Sequence, residues 1–454
     1  MSDSLRGVCV WICVFGCRSN IYEAEAIAGE LAARGAEIST SPEGCGVAVV
    51  VSCSVTATAD KKCRQAVRRA RRLLSNIRGS RGVVAVCGCW AQALSSEDAL
   101  SLGIDIVAGS RMKHLLTSAI EAKIAAPFSG LFEFRGKARG EDIGKDIEWD
   151  SLSLDRPRLR TRAFLKVQEG CDHFCSYCVI PFLRGRSVSR PLPDVLEEAK
   201  RIVASGCREI VLTGIHLGDY GSDEVTLAML IRELSALRGL TRLRLGSLEP
   251  FALATQLLDA LADSPIFCRH LHLPVQSGDD GVLRRMRRGY KADDFVALCD
   301  LARRKLGDDL HISSDILVAF PGETESAFQN TLSLMERVAL GRTHVFPYSP
   351  RKGTEAWSFS GRIPPSAASE RAALASALGE RLLSRYASRF VGRTVSVLSE
   401  SLSESINGGV LEGHSRNFLS VTAAIPEKTD AIVGREVYVL VKECGNSGLK
   451  GVCI

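Results

Sequence analysis

The residues with the plainest chemical potential are three cysteines in Gly170-Cys171-Asp172-His173-Phe174-Cys175-Ser176-Tyr177-Cys178, spaced C-x3-C-x2-C. Three thiolates on one tight loop can hold three irons of a 4Fe-4S cube and leave the fourth iron without a protein ligand. An open iron suits a chelated substrate or cosubstrate, because plain electron-transfer sites are usually closed by a fourth cysteine. The competing account is three buried apolar cysteines. It leaves unexplained the flanking Gly170 and Tyr177, which a tight loop needs.

A second set is spread along the amino-terminal part. Residues 8–15, 47–52 and 83–86 are apolar runs that read as parallel strands, and helical periodicity fits 21–34 and 59–77 between them. This alternation predicts a doubly wound α/β domain. Cys17, Cys53 and Cys89 follow the three strands at equal intervals, at the sheet edge where such folds bind ligands. A second three-cysteine metal cluster is expected there, with core cysteines as the alternative. Cys87 competes with Cys89, but it lies on the strand and should face the sheet interior, so Cys89 is preferred. Cys9, Cys13, Cys45, Cys63, Cys207, Cys268 and Cys299 fit the core. The helix after Cys53 carries Lys61, Lys62, Arg64, Arg68, Arg69, Arg71 and Arg72. That is either a solvated face or a surface that tracks phosphates.

Sixteen cysteines in 454 residues would suggest disulfides in a secreted chain. These spacings instead look like metal sites in a reducing cytosol, so a cytoplasmic location is expected. Val14-Phe15-Gly16-Cys17 loosely resembles a lipoprotein cleavage box, yet the apolar run before it is short and broken by Cys9 and Cys13. A buried strand explains it better. No run is long and apolar enough to predict a membrane span. A hydrophobic content of 46% is ordinary for a globular chain, and a net charge of +6 permits an anionic partner without demanding one.

Residues 126–155 change character, with a glycine-rich charged stretch from Gly136 to Gly144, and read as a linker. Strands then fit near 163–168, 208–213, 241–246, 269–273, 310–318 and 342–347. Helices fit near 192–205, 224–238, 252–262, 279–288, 293–305 and 323–339. Six βα units predict a partial parallel (β/α)6 barrel with its chemistry at the carboxyl ends of the strands. Those ends carry Thr213-Gly214, Ser247-Leu248-Glu249-Pro250, Gln276-Ser277-Gly278 and Phe320-Pro321-Gly322-Glu323. Thr213, Gly214, Glu249 and Gln276 are therefore candidate cofactor contacts: glycine lets backbone approach closely, and carboxylate and amide groups can bond ribose and amine. After residue 388 the helices stop. Short strands fit 395–399, 409–412, 418–421 and 436–441, predicting a small all-β, OB-like unit. Such barrels bind single strands of nucleic acid, and Arg416, Asn417 and Phe418 are candidate contacts.

Together these motifs resemble the radical S-adenosylmethionine (SAM) methylthiotransferases. The family's radical SAM cysteines fall on Cys171, Cys175 and Cys178, and its auxiliary cysteines on Cys17, Cys53 and Cys89. His272-Leu273-Pro274-Val275-Gln276-Ser277-Gly278 and Phe320-Pro321-Gly322-Glu323-Thr324 also match. The resemblance implies an auxiliary-cluster domain over 1–125, a linker over 126–155, a radical SAM barrel over 156–388 and a TRAM domain over 389–454. It implies two 4Fe-4S clusters, SAM, an external electron donor and a sulfur source. One electron would cleave SAM to methionine and a 5′-deoxyadenosyl radical. That radical would take hydrogen from carbon 2 of an adenine, and a methylthio group assembled on the auxiliary cluster would replace it.

Members of the family act on isopentenyl-adenosine in tRNA, on threonylcarbamoyl-adenosine in tRNA, or on an aspartate of a ribosomal protein. Four stretches resemble the second, MtaB-type group. They are Ser54-Val55-Thr56 with Ala59-Asp60-Lys61-Lys62 and Arg64-Gln65, then Gly214 to Gly221, His344 to Arg351, and Gly413 to Phe418. Val51-Ser52 before Cys53, and Ala57-Thr58, depart from the usual pattern. The expected activity is methylthiolation of N6-threonylcarbamoyladenosine at position 37 of the tRNA anticodon loop, where a single-stranded base can be splayed out. The basic helix, Arg284, Arg285, Arg287, Arg288 and the TRAM unit would hold phosphates. A non-enzymatic iron–sulfur RNA-binding protein is the alternative from another class, and an open cluster argues against it.

Overall fold

The valine-rich runs of the amino-terminal part form parallel strands. They are β1 (Cys9–Val14), β2 (Glu37–Ser39), β3 (Val47–Ser52), β4 (Val83–Gly88), β5 (Ile106–Ala108) and β6 (Phe132–Phe134). The sheet order is β2-β1-β3-β4-β5-β6, and every pairing is parallel. Strands β3 and β4 are buried throughout, as continuous apolar sequences covered on both faces should be. Helices α1 (Arg18–Ala33), α2 (Ala57–Leu73), α3 (Cys89–Ala93), α4 (Ser96–Ser101) and α5 (Leu116–Ala125) alternate with the strands. Helix α2 buries Cys63, Ala66, Val67 and Ala70, the i, i+3, i+4, i+7 stripe of an amphipathic helix, and Thr56 caps it by accepting from Ala59 N at 3.2 Å.

The computed structural model describes residues 3–76, 81–126, 130–135, 149–222, 224–405, 408–425, 432–445 and 448–454. The chain divides into two compact units. The first comprises Met1–Leu159, Phe164–Phe174 and Cys178–Arg190; the second comprises Arg160–Ala163, Cys175–Tyr177 and Pro191–Ile454. The glycine-rich part of the expected linker, 136–144, lies outside the described residues, as does Ile77, the expected end of the second helix. The other flanks of that linker are not loose. Strand β6 pairs with β5, Leu152 and Leu154 are buried, and Leu152 O accepts from Tyr22 Oη at 2.8 Å. The first unit continues through β7 (Ala163–Lys166) from Phe164 on, the antiparallel pair β8 (Gln168–Glu169) and β9 (Val188–Ser189), and α6 (Ile180–Arg184).

In the second unit, α7 (Leu192–Ala204), β10 (Glu209–Thr213), α8 (Leu227–Ser235), β11 (Arg242–Leu245), α9 (Thr255–Asp263) and β12 (His270–His272) alternate. They are followed by α10 (Asp280–Arg285), α11 (Ala292–Leu306), β13 (His311–Val318), α12 (Glu325–Val338) and β14 (Arg342–Pro347). Strands β10 and β11 pair in parallel, as do β12, β13 and β14. Parallel bridges Leu243–Phe267 and Ser247–His272 continue the row between them. A further helix, α13 (Pro365–Ser388), follows. It was not expected, although proline at its first position and the i, i+3, i+4 set Ala375, Leu378 and Gly379 are helix signals. The chain ends in a closed barrel, β15 (Thr394–Ser405), β16 (Gly408–Ser415), β17 (Ser420–Ile425), β18 (Glu436–Gly445) and β19 (Gly448–Cys453), ordered β15-β16-β17-β19-β18. The sequence predicts β15, β16 and β18 as shorter pieces, starts the third strand two residues early at 418–421 against β17, and misses β19.

A buried ion cluster fastens this barrel to β10 and β11. Alternation along β11 puts Arg242 and Arg244 on one face. Both donate to Glu209, at 2.6 and 3.0 Å, and Arg162 lies 3.4 Å from the same carboxylate. Arg242 goes on to Glu436 (3.0 Å) and His414 O (3.0 Å), and Arg244 to Ser415 O (3.1 Å) and Arg416 O (2.9 Å). Burial alone would push the Glu209 carboxyl up, but Arg244, Arg242 and Arg162 outweigh it and hold it far below the usual carboxylate range. A carboxyl depressed in the folded state contributes stability that is present above its unfolded value of about 4.3 and is lost as pH falls toward the folded one. Glu209→Gln leaves three guanidiniums short of their shared acceptor and should lower stability by roughly 3–5 kcal/mol. In urea melts, the gap from wild type should be widest at neutral pH and close as pH drops below about 4. A variant as stable as wild type at neutral pH would contradict this account of the barrel's attachment.

Candidate metal centres

Order in the first sheet reverses between β1 and β3, the place where open α/β sheets form a ligand crevice at their carboxyl edge. Cys17, Cys53 and Cys89 follow β1, β3 and β4 at that edge. Cys17 is exposed and caps α1, Cys53 is buried, and Cys89 is buried as the first residue of α3. The turns that deliver Cys17 and Cys89 admit no side chain. Gly16 has φ +100°, and a Cβ there would lie 2.7 Å from Cys53 Cβ; Gly88 has φ +95°, and its Cβ would lie 2.7 Å from Ser52 O. Burial pushes the Cys53 thiol up to about 11, with Cys89 and Cys17 raising it further and Arg184 opposing. Burial also raises Cys89, against the pull of Arg184. Cys53 Sγ lies only 2.9 Å from where a Cβ on Gly16 would stand, so the turn before Cys17 and the thiol of Cys53 meet at this edge. Cys53 and Cys89, whose burial disfavours the free thiolate, suit a cationic cluster, which deprotonates its ligands. Cys87 is fully buried in β4, and burial pushes it up to about 12.

Behind Cys89 lies a set of groups that the sequence did not announce. Arg184 of α6 is fully buried and uses all three guanidinium nitrogens. Its Nε donates to Cys89 Sγ at 3.0 Å. Its Nη1 donates to Glu169 at 2.9 and 3.0 Å and to Glu23 at 3.2 Å, and its Nη2 donates to Asn20 Oδ1. Asn20 Nδ2 in turn donates to Phe15 O (2.6 Å) and Ser52 O (3.0 Å), stapling the ends of β1 and β3. Ser52 Oγ donates to Cys87 O at 2.6 Å and accepts from Ala91 N at 3.1 Å, fixing the turn that presents Cys89. Lys166 reaches Glu23 (3.0 Å) and Glu169 (2.9 Å); Lys113 lies 3.3 Å from Glu23 and 3.5 Å from Asp150. The available sequence signal was Glu23, a carboxylate four residues before Ile27 on the buried side of α1.

The C-x3-C-x2-C loop has parts in both units. In the first, Cys171 N donates to Gly185 O at 3.1 Å, and Gly170 (φ +73°) faces Arg186 O so closely that no Cβ fits. Phe174 has the uncommon φ of 44°, with Arg186 over its ring and Phe182 against its edge. In the second, Ser176 N donates to Met286 O (3.1 Å), Ser176 Oγ to Arg285 O (2.7 Å), and Tyr177 meets Phe320 edge-on. Arg288 Nη1 lies 3.5 Å from Cys175 Sγ, and its Nη2 donates to Glu249 and to Pro274 O at 2.8 Å. Burial opposes the Arg288 charge, but Tyr177, Glu249, Tyr290 and Cys175 outweigh it and hold the guanidinium well above its ordinary value.

The other strand-end candidates separate. Thr213 is buried at the end of β10, followed by half-buried Gly214. Glu249 is committed to Arg288. Gln276 is left-handed (φ 72°), its N–H donating to Asp315 O and its carbonyl accepting from Leu317 N. That conformation is uncommon for a residue other than glycine. Several expected phosphate contacts have other work. Arg288 is buried against Glu249. Arg71 is bound to Asp105, Gly103 O and Gly82 O, and Arg69 pairs with Glu43 at 3.1 Å. Arg416, Asn417 and Phe418 also turn inward. Arg416 donates to Thr241 O and Glu436, Asn417 to Asp309 O, and Phe418 packs on His270 and His414 beneath Arg244. Their sequence stretch is polar because it seals the barrel joint. Lys61, Lys62, Arg68 and Arg72 are exposed, and no ion pair holds them among the described residues.

Comparison with known proteins agrees with this layout. A profile described as the Radical SAM superfamily matches residues 165–335, and one described as Uncharacterized protein family UPF0004 matches residues 9–109. The Bacillus subtilis threonylcarbamoyladenosine tRNA methylthiotransferase MtaB is 36% identical, covering 78% of this chain and 77% of its own length. The Syntrophotalea carbinolica tRNA-2-methylthio-N(6)-dimethylallyladenosine synthase is 35% identical, covering 77% and 78%. The chain belongs to the radical SAM methylthiotransferase family. Among solved structures, the radical SAM methyltransferase TsrM from Kitasatospora setae shares the fold at a TM-score of 0.50 and 16% identity, over 76% of this chain and 75% of that one. Membership of this family brings SAM and a 4Fe-4S cluster. Among the described residues no helix is long and apolar enough to cross a membrane.

The two neighbouring cysteines of β4 and α3 can be told apart by iron analysis. Cys89→Ala should lose roughly half the iron bound by a fully reconstituted chain, because a three-ligand site does not survive on two. Cys87→Ala should keep all of it and lose only about 1 kcal/mol of stability. The opposite pattern would reassign the ligand.

Proposed function

We propose that this chain methylthiolates carbon 2 of N6-threonylcarbamoyladenosine at position 37 of tRNA. The observation that carries the reading is the presence in one chain of two separate three-cysteine sets. One is the C-x3-C-x2-C loop, Cys171, Cys175 and Cys178; in the other, Cys17, Cys53 and Cys89 follow β1, β3 and β4 at one sheet edge, Cys17 and Cys89 directly after the glycine turns at Gly16 and Gly88. Each would hold a 4Fe-4S cluster with an open iron. With SAM bound, the clusters supply homolytic chemistry toward an unactivated C–H bond, which acid–base side chains cannot reach.

The chain's own groups bind and orient. Arg288, buried and neutralised by Glu249, stands beside Cys175 and fixes the position of that carboxylate. Glu249, Thr213, Gly214 and Gln276 would then meet SAM with a fixed carboxylate, a hydroxyl, an open backbone and a strained amide-bearing turn. Residues 1–125 would be the sulfur-delivering domain, 156–388 the radical barrel and 389–454 the TRAM unit. An external electron donor and a sulfur source would serve them in the cytoplasm. Exposed Lys61, Lys62, Arg68 and Arg72 on α2 would hold phosphates of the anticodon arm.

The second reading takes dimethylallyl-adenosine as substrate, and the synthases of that group match as closely as the MtaB proteins do. Favouring the first are the stretches following Cys53 and Thr213, His344–Arg351 along and after β14, and Gly413–Phe418 in the last barrel. Nucleoside mass spectrometry of tRNA from cells with and without this chain decides. Loss of the methylthio group from threonylcarbamoyladenosine alone is expected; loss from the dimethylallyl nucleoside alone would transfer the assignment. For binding, changing Lys61, Lys62, Arg68 and Arg72 to Gln should weaken tRNA affinity and flatten its log–log salt dependence by about 0.7 for each phosphate left without its cation. An unchanged slope would remove α2 from the interface.

A further inference from the structure

We infer that Arg184 is a positioning residue that sets the reduction potential of the auxiliary cluster through its hydrogen bond to Cys89, while its own backbone turn anchors the radical SAM loop. The inference rests on the proposed reading of Cys17, Cys53 and Cys89 as cluster ligands. Three observations carry it. First, the Nε of a fully buried guanidinium donates to Cys89 Sγ at 3.0 Å, and hydrogen bonds to ligand sulfurs and local net charge are the protein's means of tuning an iron–sulfur potential. Second, the donor cannot rotate away. Glu169, Glu23 and Asn20 occupy its other two nitrogens, and Arg111 donates to Arg184 O at 2.8 Å and to Arg186 O at 2.6 Å. Third, the next residue, Gly185, accepts from Cys171 N at 3.1 Å, so one turn of chain touches a ligand of each proposed cluster.

A positive donor on the sulfur favours the electron-richer state. Removing it should therefore make the auxiliary couple harder to reduce.

The test uses the full chain carrying Cys171→Ala, Cys175→Ala and Cys178→Ala, so that only the auxiliary site can load. Arg184→Gln alone strands Glu23 and Glu169 and can fail to fold. The working variant is therefore the charge-balanced pair Arg184→Gln with Glu23→Gln, compared with Glu23→Gln alone, with thermal melts of the iron-free proteins checking the fold. A second variant, Arg184→Lys, keeps the charge and gives up the fixed fork that serves sulfur and both carboxylates at once. Reductive titration followed by electron paramagnetic resonance should show the one-electron equilibrium of the paired variant about tenfold less favourable than that of Glu23→Gln, a shift of about 59 mV to more negative potential. Arg184→Lys should fall between the two. Equal potentials in the loaded paired variant and its control would overturn the inference and leave the ligand reading standing. Absence of any cluster in the triple-alanine parent would overturn both.

Discussion

A fully buried guanidinium is the constraint on which the first unit depends. Arg184 can be buried only if every donor finds an acceptor and its charge is matched. The chain meets both demands by drawing groups from distant segments to one point: Asn20 and Glu23 from α1, Cys89 from the start of α3, and Glu169 from β8. Lys166, Lys113 and Asp150 complete a set with three positive and three negative side chains. Burial opposes the charges of Glu23, Glu169 and Lys166. Yet the opposite charges hold Glu23 and Glu169 below their ordinary values and Lys166 above its own. Exchanging any single member for a neutral residue leaves the remainder unbalanced, so the set acts as one unit. Its geometry is inherited by what it touches: the ends of β1 and β3 through Asn20, and the thiol of Cys89.

The second unit repeats the principle with the signs exchanged. There one carboxylate, Glu209, is shared by Arg162, Arg242 and Arg244, which extend outward to the carbonyls and carboxylates of the last barrel. A barrel held by apolar packing alone could slide over the sheet edge. Guanidinium forks aimed at His414 O, Ser415 O and Arg416 O accept one register only. This use of the β16–β17 turn explains why its arginine, asparagine and phenylalanine turn inward to the barrel joint.

What the sequence made legible follows from how locally each feature is encoded. The strands of both parallel sheets are apolar runs bounded by glycine and polar residues, so period and length were enough. The cysteine loop is contiguous, and Cys17, Cys53 and Cys89 each stand at the end of a recognisable strand. Strands β2, β5, β6 and β19 were missed because they are short, or polar edge and barrel strands with little periodic signal. Helix α13 was missed although its proline start and apolar spacing were present.

The polar partners of the sites were illegible for a different reason. Nothing local distinguishes Arg184, which ends a five-residue helix, from the exposed arginines elsewhere in the chain; its burial is decided by carboxylates at positions 23 and 169. The same holds for Arg288, which lies among Arg284, Arg285 and Arg287 in sequence and reads as one more basic residue. In the fold, Arg284, Arg285 and Arg287 are exposed, while Arg288 turns inward to Glu249 and Cys175. A cysteine's spacing can report its partners, because ligands of one site are either close together on a loop or stand at the ends of neighbouring strands. An arginine's spacing reports nothing, because its long side chain can meet an acceptor from any element that passes within reach. For this chain, sequence therefore points to the atoms that would bind iron, and only the fold shows which charges surround them.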